Sequence, residues 1–239
     1  MLDAEAKLSL QRRYFPRLYE RTFEPIQVLL QNLVKDSVVL DAGCSGGTWL
    51  LQPYRTQLRL LVGTDICVPT KLPDMPFVLS DLNHAPFADD TFDLIVCYNV
   101  IEHLSQPQQV FAEFRRILRV GGALVFKTSS LFAPVIALSR FTPHRLHQRV
   151  KKALVGATET EVFPTHYRCN TPAALEQCLR KMGFCCKRLL VVDQTYEYLA
   201  FSRLSYILGL LYSRAIQAGP FRVLGTGIAG VYMKSASCE

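Results

Sequence analysis

The stretch Val38-Val39-Leu40-Asp41-Ala42-Gly43-Cys44-Ser45-Gly46-Gly47 decides how the rest of the chain reads. An apolar run long enough for one strand meets an acid, then a turn of small residues. In open α/β sheets a ligand sits beyond the carboxyl ends of the strands, and glycines there let backbone approach it closely. The acid narrows the choice of ligand. A turn built for a dinucleotide pyrophosphate presents bare N–H groups to anionic oxygens, and a carboxylate beside them would repel such a ligand. Asp41 suits a ligand that carries an ammonium or sulfonium group.

Outward from this stretch, strand-like and helical patterns alternate. Residues 22–35 read as an amphipathic helix feeding a strand at 38–41. A helix begins at Thr48, runs to about Arg55, and is cut or restarted by Pro53. Further strands are predicted at 60–65, 77–81, 92–98, 123–128, 187–193 and 230–234. A helix at 107–119 starts on Pro107 and ends at Gly121-Gly122, and another runs from Thr171-Pro172 to Gly183. Residues 196–217 read as one apolar helical segment. The alternation predicts an α/β fold with a mainly parallel sheet. Four segments follow: a helical lead at 1–36, a ligand-binding core at 37–130, an insertion at 131–169 and a completion of the sheet at 170–239.

Composition sets the outer bounds. With 239 residues, 49% hydrophobic and 20% charged, the chain can bury a sizeable core. It has no uncharged apolar run of about 18–20 residues, the length a spanning helix needs. Met1-Leu2-Asp3-Ala4-Glu5 lacks the basic start of a secretory signal. The eight cysteines include no Cys-x-x-Cys, which predicts reduced thiols in the cytoplasm and no metal site. The net charge of +7 is uneven: residues 1–113 carry 9 basic and 14 acidic groups, and residues 114–239 carry 18 and 6. The second half therefore either faces something anionic or is simply a solvated basic surface.

Three more signals follow the glycine turn in order. Asp65 closes the second predicted strand, where a carboxylate can accept from adjacent hydroxyls; the plainer role is a loop acid capping the next segment. Ser80-Asp81-Leu82 sets a side-chain acceptor next to an apolar residue at the end of the third predicted strand, or is a surface turn. Tyr98-Asn99-Val100-Ile101-Glu102-His103-Leu104 follows the fourth strand, with His103 a base candidate and Asn99 a ligand contact. Alternatively, Glu102 and His103 merely open the next helix.

Taken together, these residues resemble the class I S-adenosylmethionine-dependent methyltransferases, in their small-molecule branch. The resemblance covers 38 to about 128, with Ser45 standing where the family's middle glycine is usual. It implies a Rossmann-like seven-stranded, mostly parallel sheet with helices on both faces, and S-adenosyl-L-methionine as cofactor. Asp41, Gly43, Ser45, Gly47, Asp65, Asp81, Leu82 and Asn99 would bind it, Asp65 at the ribose and Asp81 at the adenine amine.

The insertion is where the acceptor should be recognised. Arg140, His144, Arg145, His147, Arg149, Lys151 and Lys152 fall within 13 residues that contain no acid. They suit phosphate, carboxylate or an anionic membrane surface. His166 and Tyr167 form a second place for acid–base or orienting groups. The segment 196–217 can be a pocket wall, a dimer face, a helix on a membrane or a core helix.

These features predict methyl transfer to a small or lipid-linked acceptor, with peripheral contact to an anionic membrane as a further partner. Nucleic acid is disfavoured, since Asn99-Val100-Ile101-Glu102 stands where a base-clamping Asn-Pro-Pro-Tyr would. Two rivals are a non-catalytic S-adenosylmethionine-binding protein and a nicotinamide oxidoreductase. The second needs Gly-x-Gly-x-x-Gly, and from Gly43 the later two places hold Ser45 and Thr48.

Overall fold

Seven apolar runs become strands: β1 (Val38–Ala42), β2 (Leu60–Asp65), β3 (Phe77–Leu79), β4 (Phe92–Tyr98), β5 (Leu118–Ser129), β6 (Phe184–Val192) and β7 (Gly227–Lys234). They form one sheet in the order β3-β2-β1-β4-β5-β7-β6. The pairs β1–β2, β2–β3, β1–β4 and β4–β5 are parallel. The structure, a computed structural model, describes residues 2–22, 24–47, 49–69, 74–140 and 163–236. All five residues of β1 are buried, which explains the apolar run Val38-Val39-Leu40 that precedes Asp41: a central parallel strand is covered on both faces. Because β2 lies on one side of β1 and β4 on the other, the strand order reverses there, opening a crevice at their carboxyl ends.

The chain divides into two compact units. One comprises residues 26–128, 166–190 and 229–239. Its core joins Ile26 and Leu30 of helix α3 (Glu24–Gln31) to Val39, Val96 and Val125 of the sheet. Burying each such side chain contributes roughly 1.5–3 kcal/mol. Three aspartates of the β4 approach are tied down here as ion-pair partners: Asp89 to Arg116, Asp90 to Lys234, Asp93 to Arg119 and Arg59. The other unit comprises residues 1–25, 129–165 and 191–228. Its described helices are α1 (Ala4–Tyr14), α2 (Leu18–Thr22), α5 (Pro134–Arg140), α7 (Thr195–Tyr198) and α8 (Arg203–Ala218). Phe15, Leu18, Tyr196, Tyr206 and Leu210 make its core.

Several boundaries differ from the sequence reading. Trp49–Gln57 is a 3-10 helix that contains Pro53, since a proline removes an N–H and crowds the carbonyl four residues back. Helix α4 (Pro107–Ile117) ends early, and β5 begins at Leu118 rather than 123. The residues between bulge out of register with β4, which Gly121 permits at φ +80°. The helix expected over 22–35 shortens to α3. The segment expected as one helix over 196–217 is two, because Ser202 and Ser205 form a capping box that starts α8. Helix α6 spans Pro172–Lys181 behind the Thr171 cap, as expected. Cys185, on the edge strand β6, is disulfide-bonded, a departure from wholly reduced thiols. Most of the basic insertion, from His144 to Lys152, lies outside the described residues.

Candidate functional site

The predicted ligand-binding residues lie at the carboxyl ends of adjacent strands. Asp41 pairs in register with Gly63 on β2 and Val96 on β4 and is only 1% exposed, so it acts as a buried charge beneath the turn. The turn itself reverses through left-handed backbone at Gly43 (φ +72°), Ser45 (φ +47°) and Gly47 (φ +104°). A Cβ on Gly43 would lie 2.3 Å from Cγ2 of Val100, so this position needs glycine for conformation and for space. The N–H groups of Gly43 and Cys44 both donate to the Thr64 carbonyl, at 2.8 and 3.0 Å, which clips the turn to β2.

Asp65 ends β2 and organises two turns. Its Oδ2 accepts from the N–H of Ser45 at 2.9 Å and its Oδ1 from that of Cys67 at 3.1 Å. A carboxylate oxygen has a second lone pair, so each can still accept a hydroxyl. Asp81 lies two residues beyond β3, exposed, and its Oδ1 accepts from the N–H and side-chain amide of Asn83. Leu82 beside it is buried. Burial, then the Asp41 and Asp65 charges, push the Cys44 thiol up to about 12. The turn thus sits in a negative field that disfavours anions and favours a cation.

The loop after β4 carries the remaining candidates. Asn99 is exposed in left-handed backbone at φ +56°, and its N–H donates to the Lys127 carbonyl at 2.8 Å. His103 belongs to a short 3-10 turn (Ile101–His103) and is half-buried. His166 is exposed, and the N–H groups of His166 and Tyr167 both donate to the Glu102 carbonyl, at 2.8 and 3.1 Å. The Glu102 carbonyl therefore holds the backbone of His166 against the short turn that carries His103, which brings the two base candidates into one loop cluster.

Glu102 does more than open a helix. Buried, it accepts from the Thr128 hydroxyl at 2.7 Å, which in turn accepts from the Asn170 amide at 2.7 Å. This buried chain fixes the loop after β4 to the end of β5 and to the turn before α6. Beside it, the Lys127 ammonium lies 4.8 Å from the Tyr98 ring centroid. Burial pulls Lys127 down to about 8, with the Glu102 charge opposing that shift. Lys127, Thr128 and Asn170 were not singled out from the sequence. The only available signal was a lysine and a threonine interrupting the apolar pattern at the end of a central strand.

A sulfonium donor fits this crevice on the structure's own terms. The Gly43 position admits no Cβ, the field at Cys44 is negative, and Asp65 and Asp81 keep acceptor capacity at successive strand ends.

The family model for a methyltransferase domain matches residues 11–187. An uncharacterized protein of Methanocaldococcus jannaschii is 36% identical over 110 residues, 44% of this chain and 48% of its own length. The malonyl-[acyl-carrier protein] O-methyltransferase of Hamiltonella defensa is 29% identical over 133 residues, 53% of this chain and 48% of that protein. A tRNA U34 carboxymethyltransferase of Campylobacter curvus is 27% identical over 100 residues, 38% and 34% respectively. The chain thus spans about half or less of the length of these curated relatives. Among solved structures, a chain from the complex between the Haloferax volcanii Trm112 methyltransferase activator and a methyltransferase superposes with a TM-score of 0.60 at 15% identity, over 99% of this chain and 97% of that one. The nicotinamide reading falls with these findings, and the nucleic-acid exclusion loses its footing, since one relative is named for tRNA. By its motifs, its strand order and this match, the chain belongs to the methyltransferase-domain family, the S-adenosyl-L-methionine-dependent proteins of class I.

Proposed function

We propose that this chain transfers a methyl group from S-adenosyl-L-methionine to a small or lipid-linked acceptor. The observation that carries the reading is the row of Gly43, Asp65 and Asp81 at the ends of β1, β2 and β3, beside the loop after β4, which bears His103 and whose Glu102 carbonyl accepts from the N–H of His166. When bound, the cofactor supplies an electrophilic methyl on a cationic sulfur. The residues of this chain bind and orient. Asp65 takes the ribose hydroxyls on its remaining lone pairs, Asp81 takes the adenine amine, and Leu82 packs beside the base. Asn99 and the turn of Gly43, Ser45 and Gly47 face the amino-acid end, over the buried Asp41 charge.

Positioning an acceptor against the methyl is the larger part of such catalysis, worth up to about 7–11 kcal/mol. A base adds about 10²- to 10⁴-fold where the acceptor must lose a proton. His103 or His166 would hold that proton at a ring nitrogen, and Glu102 positions both by holding their shared loop cluster. In this reading the segment 131–169 is the acceptor lid. A screen with labelled donor tests the proposal across lipid-linked, glycosylated and acyl-carrier-linked compounds and bulk tRNA. Label entering only the tRNA fraction would overturn the small-acceptor reading. Donor binding with no transfer to any fraction would favour a binding protein.

A further inference from the structure

Helix α8 is two-faced in a way its own unit does not use up. Tyr206 and Leu210 enter the core with Tyr196, Phe15 and Leu18. The opposite face carries Leu204, Leu208 and Leu211, which are 69%, 56% and 44% exposed. Spacings of four and three residues stack these leucines on one stripe of the helix. Exposed aromatic residues flank the stripe, Phe201 just before α8 and Phe221 just after it. A stripe of this kind in water needs an occupant.

The surrounding charge identifies which occupant. Arg203 and Arg214 are exposed and eleven residues apart, so they share one shoulder of the stripe, and Arg222 follows beyond the helix. No aspartate or glutamate occurs from Tyr198 through Cys238. None of the three arginines pairs with a carboxylate among the described residues. An apolar stripe with aromatic ends and an exclusively cationic shoulder is the pattern of a helix lying in a lipid interface. At 16 residues α8 does not span, and no described helix is long and apolar enough to cross a membrane.

We propose that the leucine face of α8 docks on an anionic lipid surface, with the leucines and Phe201 in the acyl boundary and the arginines at the headgroups. This deepens the methyl-transfer reading by supplying a route to a lipid-linked acceptor. Its test uses neither donor nor acceptor, so the two fail separately.

The full chain is floated with vesicles of phosphatidylcholine alone and of phosphatidylcholine mixed with phosphatidylglycerol. Binding to the mixed vesicles is expected, weakening with added salt. Leu204→Ser/Leu208→Ser/Leu211→Ser should reduce partitioning about a hundredfold while leaving the thermal transition and S-adenosylhomocysteine affinity unchanged. Arg203→Gln/Arg214→Gln/Arg222→Gln should reduce it about tenfold or more and remove the preference for anionic lipid. No binding to the mixed vesicles, or undiminished binding by the leucine variant, overturns the proposal. A lipid-free dimer in sedimentation velocity that the leucine variant dissolves also overturns it, because a second copy would then be the occupant.

Discussion

Gly43 and Val100 are fitted to each other: the space a Cβ on Gly43 would need is already filled by the Val100 side chain, 2.3 Å from its ideal position. The turn after β1 and the loop after β4 therefore share one packing arrangement across the crevice. Gly43→Ala should lower S-adenosylhomocysteine affinity about tenfold or more, through strain at φ +72° and through the clash. Val100→Ala alone should change affinity little. The double variant should recover part of the loss, because only the clash is relieved. Titration calorimetry on the three proteins reads this directly, and a Gly43→Ala protein that binds normally would show that the turn does not hold the donor.

Asp65 holds the turn and, in the proposed function, the ribose. These roles separate by substitution. Asp65→Asn keeps one oxygen for a backbone N–H, whereas Asp65→Ala releases both Ser45 and Cys67. Asp65→Ala should weaken S-adenosylhomocysteine at least about tenfold, the scale of one charge-assisted hydrogen bond. Adenine alone, which lacks both the ribose and the amino-acid end that the Ser45 turn would face, should compete equally well against both variants. If Asp65→Ala leaves the affinity unchanged, the ribose assignment is wrong.

Much of this arrangement was legible in the residues because its physics is local. A short apolar run, an acid and a glycine turn specify a strand end, and Thr171-Pro172 specifies a helix start. The Ser202–Ser205 capping box was just as local, but an apolar run on either side masked it. What stayed hidden depends on distant partners. Glu102, Thr128 and Asn170 are up to 68 positions apart, and only the fold brings them together. Likewise, that Asp41 is buried rather than presented to solvent depends on β2 and β4 enclosing it from both sides.

Asp193 is the corresponding buried carboxylate of the other unit. It accepts from the hydroxyls of Ser213 and Thr195 and from the N–H groups of Thr195 and Thr226. Its own carbonyl accepts from Gln217. These bonds join the end of β6 to α7, α8 and the approach to β7. Asp193→Ala would orphan four donors and should cost about 3–5 kcal/mol. Asp193→Asn, which retains one oxygen, should cost less. Chemical denaturation of the three proteins gives the ranking, and an alanine variant as stable as the parent would show the network to be dispensable.

Lys127 provides the pH test. Its ammonium is pulled by burial from the ordinary 10.5 down to about 8. Between those values the unfolded chain binds the proton and the folded chain does not, so stability attributable to Lys127 rises with pH from about 8 to 10.5. Below about 8 both states are protonated and a constant penalty remains, on the order of 3 kcal/mol before the favourable contact with the Tyr98 ring is counted. Lys127→Met removes the titration while filling the same space against Tyr98. At pH 7 the variant should therefore be the more stable protein, and its advantage should shrink steadily as pH rises toward 10. Urea denaturation at several pH values, taken as the difference between the two proteins, cancels the other titrating groups. Parallel stability curves would mean that Lys127 keeps its proton in the folded chain, held by Glu102 more strongly than burial disfavours it.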